Sequence, residues 1–201
     1  MARVPRQNRS KATVDAIIQA ALMVLAKEGP NAATTRQIAD LAGIGVGSLY
    51  EYFDNKEAIF EAAAKRFVDD TVAMIQPLAP RLVRMEIRDL IHELLYNFRD
   101  FLEKNDQLYL RCARHAFTID MAVYQEPINR VLMDLFMQYL LYHPELTKLK
   151  NIPAAIYCYI NGSVYTVVKH LSEENSIISF EELVTALADM LHSYTTTELV
   201  K

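Results

Sequence analysis

The sequence predicts an all-α protein with a helix-turn-helix near its N-terminus. Three observations carry that reading. Apolar residues recur at i, i+3 and i+4 along most of the 201 residues, and no segment alternates apolar and polar as a half-buried strand does. Three of the five glycines, Gly43, Gly45 and Gly47, lie together between two short apolar segments. Helix starts are written as capping boxes at Thr34-x-x-Gln37, Asp54-x-x-Glu57 and Ser179-x-x-Glu182.

The first helix spans Lys11–Glu28, with Val14, Ile17, Ile18, Ala21, Leu22 and Leu25 as one apolar stripe, and Gly29-Pro30 ends it. Next come two segments too short to be stable alone. Thr35–Ala42 places Ile38, Leu41 and Ala42 on one face, and Val46–Phe53 does the same with Val46, Leu49, Tyr50 and Phe53. The glycines between them permit a sharp turn, because glycine adopts positive φ without steric cost. Helix, tight turn and short helix make the helix-turn-helix layout over residues 34–53. A helical hairpin buried in an all-α core fits the same pattern. The Gly-x-Gly-x-Gly run is no dinucleotide fingerprint, since no strand precedes it and Ser48 stands where the third glycine belongs.

A long helix follows from Lys56 to about Ile75, with Ile59, Ala63, Phe67 and Met74 facing inward. Pro77 and Pro80 break it and form the clearest linker in the chain. Further helices are expected over Met85–Glu103, Asp106–Phe117, Pro127–Tyr142, Pro153–Leu171 and Phe180–Tyr194.

Composition narrows the function. With 52 % apolar residues the chain can bury a core. Two cysteines, Cys112 and Cys158, suggest no disulfide framework and fit a reducing cytoplasm. No apolar run reaches the roughly eighteen residues that span a membrane, and no secretory signal core follows the basic N-terminus. Net charge is −4, which at first argues against nucleic acid. Its distribution reverses that: residues 1–66 sum to +2 and residues 67–201 to −6. Arg3, Arg6, Arg9 and Lys11 form a basic arm beside the helix-turn-helix, suited to phosphates or simply solvated. Polar groups left outside the apolar stripes, namely Thr35, Arg36, Ser48, Tyr52 and Lys56, donate to phosphates and base edges.

Thr34-Thr35, Ile38-Ala39, Leu41-Ala42-Gly43, Gly47-Ser48-Leu49-Tyr50, Tyr52-Phe53 and Asn55-Lys56-Glu57 together resemble the DNA-binding domain of the tetracycline-repressor (TetR) family of bacterial transcription regulators. The match covers roughly the first third of the chain, from Ile17 to Phe60. One residue departs from the family pattern: Gly45 stands where a small capping residue such as Ser is common. The resemblance implies a DNA-binding domain at 11–71 and a ligand-binding and dimerisation domain at 72–201. It implies a homodimer on double-stranded operator DNA, acting as a repressor that a small apolar or amphipathic effector releases. The DNA-binding residues are then Thr34, Thr35, Arg36, Gly47, Ser48, Tyr50, Tyr52 and Lys56. The alternative is a DNA-binding adaptor controlled by a protein partner, without a small-molecule pocket.

The C-terminal domain holds residues suited to an apolar cavity with polar tips: His92, Tyr96, Tyr109, Cys112, His115, Phe117, Tyr124 and Tyr165. Each also fits a plain core. The last two helices carry wide apolar faces, and a homodimeric four-helix bundle would cover them. Gly162, Val164, Leu187 and Leu191 are the interface candidates, with packing inside one subunit as the alternative. Cys112-x-x-His115 supplies two metal ligands, too few for a zinc site. No nucleophile elbow is present. No metal, cofactor or catalytic activity is expected.

Overall fold

A computed structural model describes residues 5–116, 122–173 and 175–199, with side chains over 10–115, 126–173 and 175–196. Phe117 and Arg3 lie outside the described residues, as do the side chains of Arg6, Arg9 and Tyr124. The helices are α1 (Pro5–Ala32), α2 (Thr35–Ala42), α3 (Val46–Leu49), α4 (Lys56–Ile75), α5 (Ala79–Leu82), α6 (Ile87–Ala116), α7 (Ala122–Tyr142), α8 (Ile152–Ser172) and α9 (Phe180–Leu199). A 3-10 turn over Pro144–Lys148 joins α7 to α8. Among the described residues there is no strand, and no helix is long and apolar enough to cross a membrane.

The caps fall close to where the sequence puts them. Thr34 Oγ1 accepts from Gln37 N at 3.3 Å while Gln37 Oε1 accepts from Thr34 N at 2.8 Å, which completes a reciprocal box. Ser179 and Glu182 do the same for α9. The box expected at Asp54 is shifted by one residue. Asn55 caps α4, its Oδ1 accepting from Ala58 N at 2.8 Å.

Helix α1 is longer than expected and bends at Gly29, whose φ of 72° and ψ of 168° are open to glycine almost alone. Pro30 opens a last turn, where its missing N–H costs nothing. The two helices expected over 85–117 are the halves of α6. Its axis breaks at Lys104–Gln107, where Asn105, Asp106 and Gln107 take φ of 52°, 58° and 60°. Asn and Asp tolerate that region because their short side chains bond locally.

Three buried clusters result among the described residues. The first joins Ile17, Ala21 and Leu22 of α1, Ile38 and Ala39 of α2, Leu49 of α3, and Ile59 and Ala63 of α4. Leu108, from the second half of α6, completes it. The second core gathers α5, the first half of α6, α7, α8 and α9 around Leu82, Leu90, Leu135, Val167 and Leu187. Helix α4 links two of them: Ile59 and Ala63 belong to the first core, while Phe67 and Met74 pack against the third cluster, of Phe101, Leu102, Leu110 and Ala113 of α6 and Val168 of α8.

Candidate nucleic-acid interface and internal cavity

The turn between α2 and α3 depends on Gly43. It takes φ 70° and ψ 30°, and its N–H closes back on Ala39 O and Asp40 O. Gly43 alone of the three clustered glycines has a positive φ. Helix α3 is a single turn, and of its residues only Leu49 is buried, at 0 % exposure. Complete burial of that side chain contributes about 1.5–3 kcal/mol and fixes α3 to the core. Val46 and Tyr50, which helical spacing places inward, are instead 37 % and 47 % exposed, and Leu41 of α2 is 51 % exposed. The reason is length: a four-residue helix presents one inward position, and residues 50–52 leave it as a turn.

The outer surface of this unit carries Arg36, Gly47, Ser48, Tyr50 and Tyr52, all exposed. A Cβ built on Gly47 would meet nothing within 4 Å, so the backbone itself is at the surface there. Tyr50 OH donates to Thr35 Oγ1 at 3.3 Å and ties the end of α3 to the start of α2. Thr34 is occupied as the cap. Lys56 points back into the fold: Nζ donates to Ala33 O at 3.4 Å and lies 5.3 Å from the Phe60 ring centroid. Two of its three N–H donors remain for another partner.

Behind this unit lies a cavity of about 200 Å³. Phe67, Thr71 and Met74 of α4 form one wall, and Leu94 and Phe98 of α6 another. Leu132 and Phe136 of α7, with Tyr159, Ser163 and Val164 of α8, complete it. Of the residues nominated for an effector, Tyr165 alone among the described ones lines it. His92 stacks on Tyr96 with ring centroids 6.4 Å apart, and Tyr96 meets Phe180 edge-on at 5.3 Å, away from the cavity.

Tyr109, Cys112 and His115 also lie elsewhere, because the break in α6 turns its second half onto the first core. Tyr109 OH donates to Asp70. Burial, and then that bond, push its phenol upward in pKa. Cys112 Sγ donates to Leu22 O at 3.5 Å, and burial pushes its thiol up to about 12. The His115 ring faces Gly29, where an added Cβ would sit 3.0 Å from Cε1.

The interface candidates divide. Leu187 and Leu191 are 8 % and 6 % exposed within a single chain, filling its own core, and Val164 faces the cavity. Gly162 of α8 is exposed, as are Tyr157 and Tyr165 of the same helix, at 62 % and 51 %, and Met190 of α9, at 65 %. Phe67 and Met74 were legible as inward-facing from their spacing in the long helix; nothing marked them as cavity wall rather than core.

Residues 17–63 match the family model described as bacterial regulatory proteins, tetR family. The HTH-type transcriptional repressor KstR2 of Rhodococcus jostii (strain RHA1) is 27 % identical over 122 residues, covering 60 % of each chain. The chain spans about three fifths or less of the length of the curated relatives it matches. Two solved structures share its fold. A TetR family transcription regulator from Marinobacter aquaeolei VT8 superposes with a TM-score of 0.63 at 17 % identity, covering 94 % of this chain and 97 % of that one. The fatty acid degradation regulator FadR from Bacillus halodurans gives 0.65 at 20 % identity, covering 95 % and 96 %.

Proposed function

We propose that the chain is a transcription regulator of the TetR type, whose family model its residues 17–63 match, and that it acts as a homodimeric repressor released from its operator when a small, largely apolar molecule fills the cavity. One observation carries this: α4 is both a wall of the cavity and a support of the recognition helix. Phe67, Thr71 and Met74 face the cavity, while Ile59 and Ala63, earlier on the same helix, pack in one core with Leu49. A 20-residue helix is about 30 Å long, so a small tilt at its cavity end displaces α3 at the other.

Arg36, Gly47, Ser48 and Tyr52 meet the DNA, with Gly47 allowing close approach of the backbone. Thr34 and Thr35 act from behind by fixing α2, Tyr50 by holding α3 to it. Lys56 meets a phosphate with its unused donors. Dimerisation uses the outward face of α8 and α9, with Tyr157, Gly162, Tyr165 and Met190. Two recognition units related by a two-fold axis then read half-sites about 34–36 Å apart, or a multiple of that. Exchanging nearly complete binding competence for nearly complete incompetence requires about 5.5 kcal/mol of differential binding. At about 0.8 kcal/mol per buried CH₂, a medium-sized hydrocarbon ligand supplies that if most of its burial is exclusive to the released state.

The cavity weighs against control by a protein partner alone, which a closed core would favour. The test is fluorescence anisotropy with DNA selected by the protein from random sequence. Arg36→Ala should lose about 1–3 kcal/mol of specific binding if it makes a bidentate base contact. Ligands that raise the melting temperature should also lower DNA affinity. Stabilising ligands that never change DNA affinity would refute the release mechanism.

A further inference from the structure

The cavity contains one buried polar atom that the chain leaves uncompleted. Ser163, on α8, is 5 % exposed and lines the cavity, and its Oγ has no hydrogen-bond partner. The other buried hydroxyls of the wall are committed. Thr71 Oγ1 donates to Phe67 O at 2.8 Å, Tyr139 OH to Met85 O at 3.2 Å, and Tyr159 OH to Leu187 O at 3.0 Å. Ser163 is near enough to Tyr159 to influence its phenol, which burial pushes strongly upward. Tyr159 OH donates its own proton to Leu187 O, and the Ser163 hydroxyl beside it pulls the phenol's pKa back down, so any contact between the two uses the Ser163 proton and leaves Ser163 Oγ open as an acceptor toward the cavity. Buried hydroxyls are rarely left in this state without a function.

Among the described lining residues there is no Asp, Glu, Lys, Arg or His. Asn129, Asn161 and Tyr165 are the remaining polar side chains, and Asn161 Nδ2 already donates to Tyr157 O at 2.8 Å. A carboxylate or ammonium pressed against these residues would lose hydration and gain no counter-charge from them, a penalty far larger than any single hydrogen bond. A neutral oxygen would lose little and complete Ser163. The room is sufficient: apolar cavities of about 150 Å³ take up benzene, and this one measures about 200 Å³.

We propose that the cavity selects an uncharged, mostly hydrocarbon molecule with a single hydroxyl or carbonyl, held with its oxygen on Ser163 Oγ and its hydrocarbon against α4. This rests on the reading of the cavity as an effector site. The orientation follows from the placement of the two walls, Ser163 on α8 and Phe67, Thr71 and Met74 on α4. The polar end therefore sets selectivity, and the apolar end presses on the helix that carries the recognition unit.

The experiment compares octanol, octanoate and octylammonium, three probes of one chain length, by calorimetry with the full chain at about pH 8, where acid and amine are both ionised. Octanol should bind at least about tenfold more tightly than either ion. Ser163→Ala, checked for folding by circular dichroism, should weaken octanol by between about twofold and tenfold and leave benzene binding unchanged. Octanoate or octylammonium binding as tightly as octanol would overturn the neutral class while leaving an effector site standing. Unchanged octanol affinity in Ser163→Ala would overturn the role of Ser163. Binding of none of the probes, benzene included, would overturn this inference and the effector reading together. The comparison on the parent chain decides the neutral class even if the variant does not fold.

Discussion

Gly29 is the position where a single added methyl group should be felt most, for two separable reasons. Its φ of 72° and ψ of 168° lie in a region nearly closed to any residue with a Cβ, and alanine there costs about 1–3 kcal/mol. The added Cβ also meets the His115 ring, with Cε1 at 3.0 Å and Nδ1 at 3.2 Å, and overpacking of that kind costs about 1–3 kcal/mol. Gly29→Ala should therefore destabilise the protein by about 2–6 kcal/mol. A chain of this size melts about 2–4 °C lower per kcal/mol, so the melting temperature should fall by about 4–24 °C. His115→Ala in the same background removes the ring but leaves the backbone strain, and should return about 1–3 kcal/mol. Thermal and urea unfolding of the four chains of the cycle, followed by far-ultraviolet circular dichroism, measures both parts. A Gly29→Ala chain melting within about 2 °C of the parent would refute the whole argument. Full additivity of the two substitutions would refute the steric part alone. The contact joins α1 to the second half of α6, so it also tests how the DNA-binding unit is fastened to the rest of the chain.

Thr34→Ala removes the hydroxyl half of the capping box and should cost about 0.5–2 kcal/mol in unfolding free energy, while Gln37→Glu, which keeps the box, should cost far less. The two thiols should separate under alkylation at neutral pH. Exposed Cys158 should react first and Cys112 slowly, because its pKa of about 12 leaves almost no thiolate; a fast phase surviving Cys158→Ser would refute this. Since the folded pKa of Cys112 is raised from 9.0, its contribution to stability is intact below about pH 9 and is lost as pH rises from there toward 12. Cys112→Ala should flatten that decline, read by urea titration across the window. Tyr157→Glu with Met190→Glu should yield a folded monomer in sedimentation, whereas Leu187→Glu should unfold the chain, since Leu187 lies inside one subunit; an intact dimer from the first pair would place the interface elsewhere.

What the sequence determined by itself is local. The caps at Thr34 and Ser179, the left-handed turn at Gly43, the linker at Pro77–Pro80 and the helical character of every segment each depend on residues within about four positions of one another. A hydrogen-bonded cap or a positive φ closes over that distance whatever the rest of the chain does. Tertiary structure decided what each apolar face meets. Helical spacing marks a side chain as inward, but the same spacing serves a core, a cavity wall and a subunit seam. Leu187 and Leu191 read as seam and are core; Val164 read as seam and faces the cavity; Phe67 and Met74 read as inward and are its walls. The largest departure lies in the direction taken after a break that the sequence does mark. Asn105, Asp106 and Gln107 turn the chain inside α6, sending Leu108, Tyr109 and Cys112 to the first core and His115 onto Gly29, and leaving most of the α6 wall of the cavity to its first half, with Leu94 and Phe98. The sequence marks the break between Glu103 and Asp106; where that break sends the second half of α6 depends on long-range packing, which the residues at the break do not announce.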